Sequence, residues 1–444
     1  MQQSQARRRR FLRGSAIAVA IKGGGAALAY GLVLVVAKVT DEVNFGYFGT
    51  SWAAFTLLAA VGLLGQHSVV MRYWPQWNSA GDQAAANGYL YRSLLLSGGG
   101  LGLVSAMVVA GALLPSAVPG WTQICLATAV LTFSFGWSEV ISAGDRARGS
   151  VLRALAPRDV VWRLLTIALL ALLWAGGATS DAAGVLWLAG GVLTAIAALH
   201  TLDLLGRSGS ERRRSLTRSE QAAHWKTTTG LWGVNAFPVL LGQVNTVAVA
   251  LVLGPFWAGL YFASERSSQL LSVAMNGINQ ALAPEVASAF HSGDLRGVQH
   301  LCDYVALAST VVAAFVLCVF FAGGYVLLGV FNPQYAIPEG VAVLLVLALG
   351  QGATALCGAT NVVLQMTGHQ VPFLKILVIS GVIGTMLTVI LALAIGVLGA
   401  AIGSACTAIA WNGLAVLYAR KHIGVDPSIL GRFFPPLSPV GTPT

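Results

Sequence analysis

Long apolar stretches constrain this chain more than any other feature of its sequence. They are too long for strands, and inside a bilayer the backbone polar groups of such a stretch are satisfied only within a helix. Only 9% of the 444 residues are charged, against about 25% in a soluble domain. The sequence therefore predicts an all-α polytopic membrane protein.

Twelve stretches have the length of a membrane span. The first six cover residues 15–39, 47–71, 89–114, 119–142, 158–176 and 183–205. The second six cover residues 227–253, 255–281, 301–322, 340–366, 371–394 and 397–418. The predicted organisation is a basic N-terminus (1–14), a six-helix lobe (15–205), a cytoplasmic linker (206–226), a second six-helix lobe (227–418) and a tail (419–444).

The positions of the basic residues support this count. With a cytoplasmic N-terminus, all but three of the 26 Lys and Arg residues fall on the cytoplasmic side, and the exceptions are Lys22, Lys38 and Arg266. Such a bias sets the orientation of membrane proteins, and a wrong count would scatter the charges. The sequence thus predicts a multi-pass inner-membrane protein with both termini in the cytoplasm. The formal charge of +10 then reports orientation rather than a nucleic-acid partner.

The two sets of six spans share local features. The matching pairs are Tyr47-Phe48 with Tyr261-Phe262 and Gln66 with Gln280, each separated by 214 positions. Since six is an even number, both lobes have the same orientation and would be related by an axis along the membrane normal. We expect two pseudo-symmetric lobes around a central cavity, an arrangement that suits alternating access. Chance similarity among apolar helices is the alternative.

Several short motifs resemble those of a known transporter family. In the first half they are Lys22-Gly23-Gly24-Gly25, Val35-Val36-Ala37-Lys38 and Phe45-Gly46-Tyr47-Phe48. In the second half they are Gly259-Leu260-Tyr261-Phe262-Ala263, followed by Arg266, and the segment from Asn361 to Gly368. Together they resemble bacterial Wzx-like oligosaccharide flippases of the MOP superfamily, which also contains the MATE exporters. The resemblance covers roughly residues 15–420.

This resemblance implies a flippase that moves an undecaprenyl-pyrophosphate-linked oligosaccharide from the cytoplasmic to the periplasmic leaflet. The product would serve surface polysaccharide synthesis, such as that of lipopolysaccharide. The implied partners are the lipid-linked oligosaccharide, membrane lipids, a proton or sodium counter-ion and other polysaccharide-assembly proteins. A MATE-type cation-coupled multidrug exporter is the alternative, although cationic drugs favour more acidic cavities.

Lys22 and Arg266 are candidate ligands for the pyrophosphate. Lys22 lies about 10 Å into the first span and Arg266 about 15 Å into the eighth, at 1.5 Å per residue. Charges at such depth are usually functional, and arginine offers a bidentate fork to phosphate. Alternatively, Arg266 neutralises a buried acid and Lys22 extends towards the cytoplasmic surface.

Glu265 is the carboxylate predicted nearest the midplane, and it is the candidate for ion coupling. A buried ion pair with a neighbouring cation is an equal alternative. Among uncharged groups, Asn235 and Gln243 flank Pro238, which should bend the seventh span. Both are candidates for sugar recognition, with interhelical hydrogen bonding as the alternative.

The sequence does not indicate an enzyme, a metal site or a cofactor. The predicted outer loops are short, and their acids are Asp41, Glu42, Asp181 and Glu339. No HExxH, GxSxG or P-loop pattern occurs. The five cysteines have no CxxC spacing, so neither a zinc site nor a disulfide framework is predicted.

Overall fold

The computed structural model describes residues 2–177, 179–208 and 214–433, and these residues form helices joined by short connections. The first half contains α1 (Gln2–Val39), α2 (Glu42–Gly62), α3 (Gln66–Ser79), α4 (Gln83–Ala112), α5 (Trp121–Ala147), α6 (Val151–Ala156), a π-helical turn (Pro157–Val161), α7 (Trp162–Ala175) and α8 (Ala182–Ser208). The second half contains α9 (Arg218–Leu253), α10 (Pro255–His291), α11 (Leu295–Phe331), α12 (Pro338–Leu356), α13 (Thr360–Met366) and α14 (Gln370–His422).

Nine helices in the described part of the chain are long and apolar enough to cross a membrane. The predicted all-α class is confirmed. The fifth predicted span corresponds to the π-helical turn with α7, and the eighth corresponds to α10. The last two predicted spans lie within α14, where Ile395 and Gly396 leave the helical conformation at the predicted break.

The chain divides into two compact units, one ending at Val244 and one beginning at Asn245. The sequence placed all of the seventh span, from residue 227, in the second lobe, whereas this division falls inside α9. The part of α9 before this division makes hydrogen bonds to α2 and α3. The amide of Gln66 donates to the Thr228 hydroxyl (2.9 Å), and the Trp232 indole N–H donates to the Val61 carbonyl (3.0 Å).

Part of the predicted basic surface lies outside the described residues. This applies to the side chains of Arg7 to Arg10, to Arg212 and Arg213, and to the tail after Phe433. After α8 the described chain resumes at Arg214, whose backbone N–H donates to the Ala84 carbonyl (3.1 Å). The Arg214 guanidinium also pairs with Asp82 and Glu220, so this end of the linker is fixed to α4 and α9.

An aromatic cluster holds α2, α5 and α7 together in the first unit. The rings of Trp52 and Trp162 stack with centroids 6.1 Å apart, and Phe135 packs edge-on to both Trp162 and Phe55. Trp162 is fully buried, and its indole N–H donates to the Ala189 carbonyl of α8 (2.9 Å). Because such rings bury large areas and need a partner for the indole, Trp162 fixes the start of α7.

The packing of α2 against α4 can be tested at two neighbouring glycines of α4, Gly99 and Gly100. A Cβ at Gly100 would overlap the Gly62 carbonyl oxygen, whereas a Cβ at Gly99 would meet nothing within 4 Å. We expect Gly100→Ala to destabilise the protein by about 1–3 kcal/mol, the usual cost of overpacking. Gly99→Ala should be neutral or stabilising by up to about 1 kcal/mol, because alanine favours helices. Thermal unfolding of the two purified variants checks this, and equal melting temperatures would contradict the packing of α2 on α4.

Candidate functional site

The first unit contains a charged cavity of about 270 Å³. Its lining combines basic and acidic side chains from α1, α5, the π-helical turn and α7. The charged members are Lys22, Glu139, Arg146, Arg158, Asp159 and Arg163. Four cations face two carboxylates, which leaves a formal charge of +2. We call this the basic cavity.

A helix irregularity forms one wall of the basic cavity. Pro157 cannot donate a backbone hydrogen bond, so a regular α-helix cannot continue through it. The chain instead adopts one π-helical turn over Pro157–Val161, between α6 and α7. Arg158 and Asp159 belong to this turn and line the cavity. Single π turns inside helices occur frequently at functional sites.

Two carboxylates hold the arginines in place. Glu139 accepts from Arg146 Nη2 at 2.6 Å and pairs at close range with Arg158 Nη1. Asp159 lies 3.8 Å from Arg163 Nη1 and 4.0 Å from Arg158 Nε. Buried charges are tolerated only when they are paired in this way, because desolvation of an isolated charge costs several kcal/mol. The pairs therefore allow three arginines to occupy one small volume.

Hydrogen-bonding capacity remains after these pairs have formed. The Nε atoms of Arg146, Arg158 and Arg163 are buried and have no hydrogen-bond partner among the described residues. Lys22 is exposed and makes no ion pair or hydrogen bond within the described part of the chain. The excess of positive charge, which includes the exposed Lys22 ammonium group, suits an anion with several oxygens, such as a phosphate.

The glycine run that follows Lys22 brings α1 close to this wall. Arg163 Nη1 donates to the Gly25 carbonyl at 2.8 Å and to the Asp159 carbonyl at 3.1 Å. A Cβ at Gly25 would lie about 3.1 Å from the same Nη1 atom, whereas Gly23 and Gly24 face open space. Gly25 therefore permits the close approach of α1 to Arg163, which places Lys22 at the cavity.

Sequence reasoning singled out only Lys22 in this cavity. It assigned Arg146, Arg158 and Arg163 to the cytoplasmic charge bias. The position of a residue along its own helix does not show which other helices pack against it. The convergence of four helical segments on one cavity was therefore not predicted. The available signal was Pro157 at the start of a predicted span, directly followed by Arg158 and Asp159.

In the second unit, Gln269 links the two candidate charges of α10. Its amide nitrogen donates to Glu265 Oε1 (3.1 Å), and its oxygen accepts from Arg266 Nη1 (3.0 Å). Glu265 Oε2 also accepts from the Thr246 hydroxyl (2.9 Å), and the Arg266 guanidinium lies 4.8 Å from the centroid of the Phe262 ring. Glu265 thus accepts hydrogen bonds from two neutral donors, Thr246 and Gln269.

Asn235 and Gln243 lie on α9, in the part that belongs to the first unit. Asn235 Oδ1 lies 3.3 Å from His67 Nε2 and 3.3 Å from the Ser68 hydroxyl, and its Nδ2 donates to the Leu231 carbonyl. These contacts are interhelical and local hydrogen bonds. Gln243 is half-buried, and neither side chain lines the basic cavity.

Comparisons with known proteins were made for both sequence and structure. No protein-family model matches the chain, and no curated protein matches it by sequence. Solved structures do match. A multidrug resistance MATE family transporter of the MOP superfamily, in an inward-facing conformation, aligns with a TM-score of 0.69 at 14% identity. That alignment covers 89% of this chain and 94% of the other.

Two further matches cover similar lengths. A MOP superfamily transporter from Pyrococcus furiosus, for which the reverse polarity of the binding pocket suggests a different function, aligns with a TM-score of 0.62. The identity is 14%, over 91% of this chain and 94% of that one. An outward-facing MATE family transporter aligns with a TM-score of 0.58 at 15% identity, over 90% and 92% of the two chains. The chain therefore has the fold of MOP superfamily transporters.

Proposed function

We propose that this protein is a flippase that translocates an undecaprenyl-pyrophosphate-linked oligosaccharide across the bacterial inner membrane, for surface polysaccharide synthesis. The basic cavity is the observation that carries the proposal. A pyrophosphate that enters a low-dielectric site needs cations to offset the loss of its hydration. The formal charge of +2 on the lining of the basic cavity supports this proposal.

The transporter fold supports alternating access as the mechanism. In such proteins one bundle moves against the other around a fixed binding site. Lys22, which lines the basic cavity, is proposed as a phosphate ligand. Arg266 of α10 is proposed as a separate phosphate contact, and Asn235 and Gln243 are proposed as contacts of the sugar. Both termini are proposed to be cytoplasmic, which puts the linker beside the inner leaflet.

A cation-coupled multidrug exporter is the second candidate, because MATE multidrug transporters share this fold. The charge of the basic cavity argues against it, since an excess of positive charge repels cationic drugs. Efflux of ethidium from cells that express the protein distinguishes the two candidates. Ethidium efflux without any binding of a polyprenyl pyrophosphate would favour the exporter.

The proposed phosphate site is tested by Arg158→Gln. This change removes one cation but keeps a polar side chain, so we expect affinity for farnesyl pyrophosphate to fall about tenfold to a hundredfold. Isothermal titration calorimetry with the purified full chain measures it. The matched control is Arg153→Gln, because Arg153 is exposed on the neighbouring α6 and does not line the cavity. Equal affinities in the two variants would rule out the basic cavity as the site.

Glu139→Gln should change the affinity in the opposite direction. Glu139 forms ion pairs with Arg146 and Arg158, and it competes with any incoming anion for the N–H donors of these arginines. Without that competing charge, we expect farnesyl pyrophosphate to bind about tenfold more tightly. The same titration checks this on protein whose melting temperature shows that it is folded. Weaker binding would mean that Glu139 positions the arginines rather than competing for them.

Glu265→Gln tests the proposed coupling role. If Glu265 takes up and releases a cation during the cycle, the neutral variant should still bind farnesyl pyrophosphate but should no longer respond to an ion gradient. Transport of a fluorescent polyprenyl-pyrophosphate probe into proteoliposomes measures this, with proton or sodium gradients imposed. Glu339→Gln, at an exposed residue of α12, is the control. A variant that responds to the gradients like the wild type would exclude Glu265 as the coupling group.

A further inference from the structure

The first unit contains a second pocket, of about 320 Å³, between α4, the chain that resumes at Arg214 and the start of α9. Arg92, Arg214 and Gln221 contribute polar groups to its lining, whereas Tyr91 and Leu95 contribute exposed apolar surface. The pocket lies where the third predicted span begins, on the side of the membrane predicted to be cytoplasmic. We call it the interfacial pocket.

Arg214 fixes one wall of the interfacial pocket against α4. Besides its backbone hydrogen bond to Ala84, its guanidinium donates to Asp82 Oδ2 (3.1 Å) and to both carboxylate oxygens of Glu220 (2.8 and 2.9 Å). A Cβ at Gly88 would overlap the Arg214 carbonyl oxygen. Gly88 therefore permits the Arg214 backbone to lie directly on α4.

The residues that follow Arg214 in this wall are also held in place. Leu216 is buried against Tyr73 and Tyr89, whose rings stack with centroids 4.6 Å apart. Gln221 Nε2 donates to the Leu216 carbonyl at 2.8 Å. A ligand that enters the interfacial pocket therefore meets a pre-formed wall, which lowers the entropic cost of binding.

The lining presents two cations, which differ in their surroundings. Arg214 is already paired with Asp82 and Glu220, and neither carboxylate is among the described residues that line the pocket. Arg92 is half-buried and lies about 5 Å into the predicted third span. From such a depth an arginine extends its guanidinium to the level of the lipid phosphates. Arg92 therefore suits a phosphate group at the membrane surface.

The exposed face of α4 continues from the pocket into the membrane. Tyr91, Leu95, Gly99 and Leu103 are exposed and spaced four positions apart, so they form a continuous stripe along the helix. A Cβ at Gly99 would meet nothing within 4 Å, which leaves a gap in the stripe between Leu95 and Leu103. Tyrosine at the start of such a stripe is typical of a membrane interface. This surface suits an acyl chain.

We propose that the interfacial pocket binds the headgroup of an anionic phospholipid, with one acyl chain along the exposed stripe of α4. Arg92 would pair with the phosphate, as in other basic pockets beside membrane helices that bind anionic headgroups. A cavity of about 150 Å³ holds a benzene ring, so about 320 Å³ accommodates a phosphate and its glycerol while the acyl chains lie outside.

The polar lining favours phosphatidylglycerol over a zwitterionic lipid. Ser215 and Gln221 can exchange hydrogen bonds with the hydroxyls of a glycerol headgroup, whereas an ammonium group would lie beside Arg92 and Arg214. None of these residues lines the basic cavity, so lipid binding here does not depend on the transported substrate.

Native mass spectrometry of the detergent-solubilised full chain measures the affinity for the first bound lipid. Phosphatidylglycerol and phosphatidylcholine with identical acyl chains are titrated separately, and we expect phosphatidylglycerol to bind about fivefold more tightly. Arg92→Gln should abolish this preference, whereas Arg92→Lys retains the charge and should keep most of it. The matched control is Arg72→Gln, at an exposed arginine that ends the second predicted span and does not line the pocket.

Gly88→Ala tests the wall of the pocket without changing a charge. The added methyl group displaces the Arg214 backbone, so the preference for phosphatidylglycerol should fall although both arginines remain. A preference equal to that of the wild type in this variant overturns the pocket as the site, once melting temperatures show that all variants are folded.

Three further results would also overturn lipid binding at this site. The first is equal affinity of the wild type for the two lipids. The second is an equal loss of preference in Arg92→Gln and Arg72→Gln, which would show only a general attraction between charges. The third is binding of glycerol 3-phosphate as tight as that of phosphatidylglycerol, which would identify a soluble anion as the ligand.

Discussion

The pairing of arginine with carboxylate inside the first unit is the interaction on which its candidate site depends. Glu139 alone satisfies two arginines from different segments, α5 and the π-helical turn. Without such pairing, each buried guanidinium would carry a desolvation cost of several kcal/mol. The same pairs limit the anion-binding strength of the cavity, because every carboxylate competes with the ligand. The surplus of cations over carboxylates, rather than the number of arginines, is therefore the quantity that determines what this cavity binds.

Local features of the backbone position the charged side chains of the basic cavity. Pro157 ends one regular helix and begins a π-helical turn, and Trp162 then anchors the next helix through its buried indole. Gly25 lets α1 approach until its carbonyl meets Arg163. Each of these features is a local departure from an ideal apolar helix. Together they bring the charged side chains of α1, the π-helical turn and α7 to one cavity.

The helices could be predicted from sequence because a bilayer leaves the backbone no alternative. Even the break in α14 at Gly396 was predicted, between spans ending at 394 and starting at 397. The basic cavity was largely missed, because Arg158 and Arg163 fit a topological rule equally well when viewed one helix at a time. A small cavity of the second unit, lined by Ser272, Thr354, Asn361, Trp411 and Asn412 among others, was missed for a related reason. Asn361 and Asn412 are 51 positions apart in sequence, and their shared environment arises only from the packing of α12, α13 and α14.

Among the described residues, each unit lines a polar cavity of its own. This matters for a transporter that works by alternating access, because movement of one rigid bundle against another changes distances between bundles and preserves those within each. A cavity built inside one unit keeps its donors, acceptors and charge balance throughout such a cycle. Its exposure to either side of the membrane can change while its affinity for a given chemical group stays nearly constant.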